Sequence, residues 1–152
     1  MKDNKARIDL AEYKLRSAWY SIKKMYHEEA KKYGVTHAIG FALLSIHPKN
    51  GTPSTSIGPI MGMEANSLSR ILKMMEEKKL ILKKTNPNDG RGVLIFLTKD
   101  GLRKREVTKK KVIKFNKLVN NNITKENMDI FFKTVETIKK LASEENILNN
   151  EK

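Results

Sequence analysis

Ile8, Ala11, Leu15, Ala18, Trp19, Ile22, Met25, Tyr26, Ala30 and Tyr33 recur at three- and four-residue steps. That rhythm predicts an amphipathic helix over residues 8–33. Gly34 is placed to stop it, because glycine takes the left-handed conformation that closes a helix. Thr36 offers a side-chain oxygen to cap a second helix running to about Ile46. This helix is apolar on several sides (Ala38, Ile39, Phe41, Ala42, Leu43, Leu44, Ile46) and is therefore expected to be buried. His47-Pro48-Lys49-Asn50-Gly51 reads as a loop. Ser54–Met61 is a short helix candidate, for which either Thr52-Pro53 could be the cap and first helical residue or Ser54 could be the cap. Pro59 fits that helix comfortably only if it begins late, since proline lacks a donor and crowds the carbonyl four residues back.

Gly62-Met63 reads as a turn, and Glu64–Lys79 as a longer helix. Its apolar residues Leu68, Ile71, Leu72 and Met75 fall at i, i+3, i+4 and i+7. The opposite face offers Asn66, Arg70 and Lys73, with Ser67 and Ser69 near its start; Asn66 and Ser67 are also candidate caps. A strand is expected over Leu80–Thr85, a loop over Asn86-Pro87-Asn88-Asp89-Gly90, and a second strand over Val93–Thr98. Leu102–Asn120 is helical in pattern but highly charged. Ile123-Thr124 opens a last helix whose Met128, Phe131, Phe132, Val135, Ile138 and Leu141 keep helical spacing. Glu144–Lys152 is a polar tail. The fold class is mainly α with a small β wing (α+β), a helix–turn–helix followed by a two-stranded hairpin. A helix with an apolar back and a cationic front can lie in a major groove while a hairpin with arginine at its tip reaches the neighbouring minor groove.

The segment Met63-Glu64-Ala65-Asn66-Ser67-Leu68-Ser69-Arg70-Ile71-Leu72-Lys73-Met74-Met75-Glu76-Glu77-Lys78-Lys79-Leu80-Ile81 resembles the recognition helix of MarR-type regulators (multiple antibiotic resistance regulators). Asp89-Gly90-Arg91, followed by Leu97-Thr98 and Gly101, is similar to that family's wing signature, Asp-x-Arg leading to Leu-Thr-x-x-Gly. The likeness extends more weakly from about Leu10 to Leu141. It implies a single domain over residues 1–152. Within it, about 36–101 would form the winged helix–turn–helix, and about 8–33 and 102–145 would be helices that interlock two subunits. A symmetric homodimer would set two recognition helices about one DNA turn (~34–36 Å) apart. By family analogy the protein is a repressor that a small-molecule effector can release. Three departures stand out: Gly58-Pro59 interrupts what is usually an unbroken helix, Glu64 replaces a hydroxyl cap, and Lys79 replaces a closing glycine. The helix at Lys79 is therefore expected to end without a left-handed glycine cap.

The 152 residues carry a formal charge of +14, which makes a polyanion the first suspected partner. Residues 64–115 hold 15 Lys/Arg against 6 Asp/Glu, whereas residues 116–152 hold 6 of each. The surplus thus sits on and just after the proposed reading head. A largely non-specific, architectural nucleic-acid binder would account for the charge equally well. It would not account for the asymmetric helix plus Asp-x-Arg wing. There is no cysteine, which removes disulfides, thiolate metal sites and cysteine-based peroxide sensing. Met1-Lys2-Asp3-Asn4-Lys5 lacks the apolar core of a signal peptide, and no run is long enough to span a bilayer, so a soluble, cytoplasmic protein is expected.

Ala65, Asn66, Ser67, Ser69, Arg70 and Lys73 form the candidate set facing double-stranded DNA, asparagine being suited to adenine and arginine to guanine. Arg91 is the candidate minor-groove residue, because a planar, permanently charged guanidinium suits a narrow, electronegative groove. Asp89 either orients it or makes the turn. Lys83, Lys84 and Lys99 are plausible phosphate neighbours, and Lys109-Lys110-Lys111 reads as a solvated helix face. Trp19, Tyr20, Tyr26, His37 and Phe41, with His27 and Tyr33 nearby, could line an effector pocket or simply be core. His27, His37 and His47 lie in different elements without supporting Cys or clustered acids, so no metal or other cofactor is expected. No nucleophile–base pair or phosphate-cradling loop points to an enzyme.

Overall fold

The computed structural model describes residues 8–87 and 89–144; within that range the side chains of residues 89–91 lie outside the description. The polar tail from residue 145 onward and the amino-terminal residues 1–7 also lie outside the described residues. The elements in order are α1 (Ala11–Lys31), α2 (His37–Ser45), β1 (Thr52–Pro53), α3 (Ser54–Met61), α4 (Ala65–Glu77), β2 (Ile81–Asn86), β3 (Asp89–Leu97), α5 (Lys99–Asn122) and α6 (Lys125–Ser143). They fall into two compact units, residues 1–109 and 110–152. The first holds the sheet and the helix–turn–helix. The second holds the end of α5 and all of α6, which opens on Thr124 accepting from the Asn127 N–H at 3.3 Å. No helix among the described residues is long and apolar enough to cross a membrane.

The core of the first unit is built from α2, α3, α4 and the sheet. Ile39, Ala42, Leu43 and Ile46 meet Ile57, Leu68, Ile71, Leu72 and Met75, and Leu80, Ile81 and Ile95 close the cluster. The four apolar positions of α4 are all buried, so the helical spacing of the sequence is the packing face of the structure. Thr36 caps α2 as its position implies, its hydroxyl oxygen accepting from the Ile39 N–H at 3.2 Å.

The sheet has three antiparallel strands in the order β1-β3-β2. Thr52-Pro53 is therefore not a helix start. Thr52 pairs with Ile95 and Pro53 with Leu94 at the sheet edge, where proline's missing donor costs no ladder bond. Helix α3 starts directly behind it at Ser54, which leaves Pro59 inside the helix rather than in its first turn. The helix tolerates it because Thr55, whose carbonyl has no donor to meet at position 59, is exposed to water. The second wing strand begins at Asp89, not Val93, and stops at Leu97, leaving Thr98 outside it. Asn86 pairs with Asp89 but Thr85 pairs with Val93, so residues 90–92 bulge out of the β3 side of the ladder. Helix α5 likewise begins earlier than its charge pattern suggests, at Lys99, because Thr98 caps it.

Three helices end in the same way. Gly34 (φ 69°) sends its N–H to the Lys31 carbonyl while Val35 reaches Ala30, and Gly62 (φ 61°) bonds Pro59 while Met63 reaches Gly58. At the end of α4, Lys79 bonds Glu76 and Leu80 reaches Met75 in the same arrangement. The terminus thus has a left-handed cap after all, with a lysine at φ 54° standing where glycine would be relaxed. A side chain in this region costs about 1–2 kcal/mol. Lys79→Gly is expected to stabilise the protein by about 1 kcal/mol after glycine's extra unfolded-state entropy is subtracted, read as a higher urea midpoint at unchanged slope.

Candidate nucleic-acid interface

Opposite its buried stripe, α4 presents Asn66, Arg70 and Lys73 at i, i+4 and i+7, all exposed, with exposed Ala65, Ser67 and Ser69 beside them. The cap position is Glu64, so Asn66 and Ser67 sit within the first helical turn and are not caps. The Ser69 hydroxyl donates to the Ala65 carbonyl at 2.9 Å, which fixes its rotamer and leaves its oxygen free to accept. At about 1.5 Å per residue, the 13-residue helix is about 20 Å long, enough to lie along a major groove with its polar face inward.

The wing is anchored to this helix and to the residues that close it. Lys83 of β2 forms an ion pair with Glu76 of α4 at 2.7 Å. At the junction with α5, the Thr98 hydroxyl donates to the Lys79 carbonyl at 2.7 Å and accepts from the Gly101 N–H at 3.1 Å, while the Thr98 N–H reaches Leu80 O at 3.0 Å. A single threonine thus closes the end of α4, starts α5 and fixes where β3 leaves the sheet. That is a physical reason for threonine and glycine at a Leu-Thr-x-x-Gly spacing. Of the other lysines singled out, Lys84 places its ammonium 5.0 Å from the centre of the Phe96 ring, and Lys99 is exposed at the first position of α5. Lys109 and Lys110 are exposed and Lys111 is half-buried. Asp89 and Arg91 lie on the backbone of β3, Arg91 within its bulge. The proposed pairing of their side chains falls outside the described residues.

The aromatic residues of the sequence divide. Trp19, His37 and Phe41 line one cleft of about 270 Å³ together with Ala38, Ser45, Ile60, Met61 and Met63. Tyr26 sits one contact away, edge-on to Phe41 at 5.5 Å between ring centres, and burial raises its pKa. Tyr20 is 69 % exposed and does not line the cleft. Ile60, Met61 and Met63 were hidden from the sequence because Gly58-Pro59 obscures the periodicity of α3. The cleft therefore reaches the turn of the helix–turn–helix.

His27 and His37, ten residues apart in sequence, meet edge-to-face at 6.2 Å. Among the described residues no three ligand-type side chains gather as a metal site would require. Burial holds His37 below the ordinary imidazole value, and the charges of Lys23 and His27 add to the effect. A depressed histidine makes the unfolded chain the better proton acceptor. Stability from this group is thus present at neutral pH and is lost as pH falls below about 6.5. The drop in urea midpoint between pH 7.5 and 5.5 is expected to be smaller in His37→Gln than in wild type.

A three-stranded wing behind a tri-helical core, with a polar helix face held beside the hairpin, defines a winged helix–turn–helix protein. More particularly, residues 35–93 match the model of the MarR family. A curated relative, the organic hydroperoxide resistance transcriptional regulator of Bacillus subtilis, is 31% identical over 80 residues, covering 53% of this chain and 54% of the relative. The match thus spans about half the length of that protein. The fold is similar to that of S. aureus MepR solved with DNA, at a TM-score of 0.78 and 18% identity over 88% of this chain and 98% of that one. It is equally similar to that of a Listeria monocytogenes protein described as of the MarR family and complexed with 26mer DNA (TM-score 0.77, 18% identity, 95% and 97% coverage).

Proposed function

We propose that the protein is a sequence-specific, double-stranded-DNA-binding transcription regulator that acts as a homodimer and represses by occupying promoter DNA. The observation that carries this reading is the exposed row Asn66, Arg70 and Lys73 on α4, directly opposite the buried face that fixes the helix in the core. Asparagine and arginine at this spacing can each make two hydrogen bonds to a purine edge, and Lys73 and Lys99 supply charge for phosphates. Lys83 and Lys84 would join them by exchanging their intramolecular partners for the backbone of the DNA. Arg91 enters the adjoining minor groove, with Asp89 orienting it. That two proteins of similar fold were solved in complex with DNA supports DNA as the partner.

The dimer reading is supported by the apolar side chains left in water near both ends of the chain. Trp19 is 52 % exposed in the first unit, and Phe131 and Phe132 are 50 % and 55 % exposed in the second. Stripes of this kind mark surfaces that a second molecule covers. The whole chain would then be one functional domain of the family, and the cleft at Trp19, His37 and Phe41 would take a small, partly apolar effector that shifts the helix–turn–helix.

Titration of the purified protein against labelled duplexes over a range of salt tests the reading. Log K should fall by roughly 0.9 per phosphate neutralised. A cognate site should be preferred about a thousandfold over random duplex. Equally steep salt dependence with no preference would instead establish a non-specific architectural binder.

A further inference from the structure

Glu64 is the one acidic residue between positions 50 and 75, yet it stands at the leading end of the reading helix. Its backbone does the work of a cap, since the carbonyl accepts from the Leu68 N–H at 3.0 Å. Its side chain does not, because the exposed carboxylate accepts no capping hydrogen bond and has no ion pair among the described residues. The contrast with Glu76, the carboxylate further along the same helix that Lys83 neutralises, is direct. The fold therefore leaves an unpaired negative charge at the end of a recognition helix that ordinarily meets base edges, among side chains otherwise neutral or cationic. Against phosphate such a charge is unfavourable. A base donor reverses the sign of the contribution.

We propose that Glu64 is a specificity-determining residue: its carboxylate accepts a hydrogen bond from the exocyclic amino group of a cytosine in the major groove, and it repels DNA that offers no such donor. The inference rests on the reading of the protein as a sequence-specific DNA binder. Cytosine is favoured over adenine by the pattern of the groove edge. The adenine amino group is flanked on both sides by acceptors that would repel a carboxylate, whereas the cytosine amino group has an acceptor on one side and a C–H on the other. Glu64 is then neutral or unfavourable on most sequences and favourable on one, which lowers non-specific binding while it reads a base.

The test compares wild type, Glu64→Gln and Glu64→Asp on the site recovered from random duplexes, on a panel changing each base pair of that site in turn, and on a scrambled duplex. Glu64→Gln should lose about tenfold discrimination at one C·G pair of each half-site and nowhere else. It should bind scrambled DNA about threefold more tightly. Glu64→Asp keeps the charge but not the reach, so it should lose the base preference while scrambled binding stays weak. Unchanged discrimination by Glu64→Gln at every position would overturn the assignment even if its overall affinity rose. Wild type that fails to distinguish its site from the scrambled duplex would overturn the parent reading, and this one with it. Both substitutions are at an exposed position, and matching thermal melts separate these results from misfolding.

Discussion

Gly101→Ala is expected to lower the stability of the protein by about 3 kcal/mol and its melting temperature by roughly 10 °C. A methyl group at this position would overlap the carbonyl oxygen of Leu80, a backbone atom, with the Leu97 side chain close on another side. Side chains can rotate away from an added methyl, but this carbonyl is held by the Thr98 N–H at 3.0 Å and belongs to a buried residue. Relief requires α5 to move away from the end of α4. Thr98→Val should report on the same joint more gently, because it removes the hydroxyl that bridges Lys79 and Gly101 and leaves the shape. A cost of about 1–2 kcal/mol is expected from the two lost hydrogen bonds. Thermal melts followed by circular dichroism measure both. A Gly101→Ala protein with wild-type stability would mean that α5 does not start where Thr98 places it.

Arg91→Ala and Arg70→Ala should each weaken binding to the cognate duplex by about tenfold to a hundredfold while leaving the melting temperature unchanged. The two losses differ in kind. Arg70 lies on the exposed face of α4, so its removal should relax base preference at one position of each half-site. Arg91 lies in the bulge of the hairpin, so its removal should cost affinity most where the flanking minor groove is narrow and little where it is wide. Anisotropy titrations on matched duplexes with and without an A-tract flank separate them. Wild-type affinity in Arg91→Ala would remove the wing from the interface.

The features legible in the sequence are those set by local chemistry. Leu68, Ile71, Leu72 and Met75 announce the buried face of α4 because helical period and burial coincide. Gly34, Thr36 and Thr124 mark helix ends because each acts within a few residues of itself. The features that were not legible depend on distant partners. Thr52-Pro53 has the chemistry of a helix start, and only β3, more than 40 residues later, makes it a strand. Lys79 takes a left-handed conformation because Leu80 is drawn into the core and Thr98 holds the Lys79 carbonyl. The bulge at residues 90–92 is set by pairing across the hairpin rather than by composition. In the candidate site, the exposed row on α4 followed from periodicity. The ion pair from Lys83 to Glu76 and the part Met61 and Met63 play in the cleft required the packing of α3 against its neighbours.

Selection from a random duplex library with the purified protein, at near-physiological salt, tests the central claim most directly. A dimer presenting α4 to successive major grooves predicts a pseudo-palindromic motif of two half-sites centred about 10 base pairs, or about 34–36 Å, apart. Each half-site should contain purines suited to Asn66 and Arg70. Recovery of no motif, with binding that fades uniformly as salt rises, would contradict the account and leave a basic protein that holds DNA without reading it.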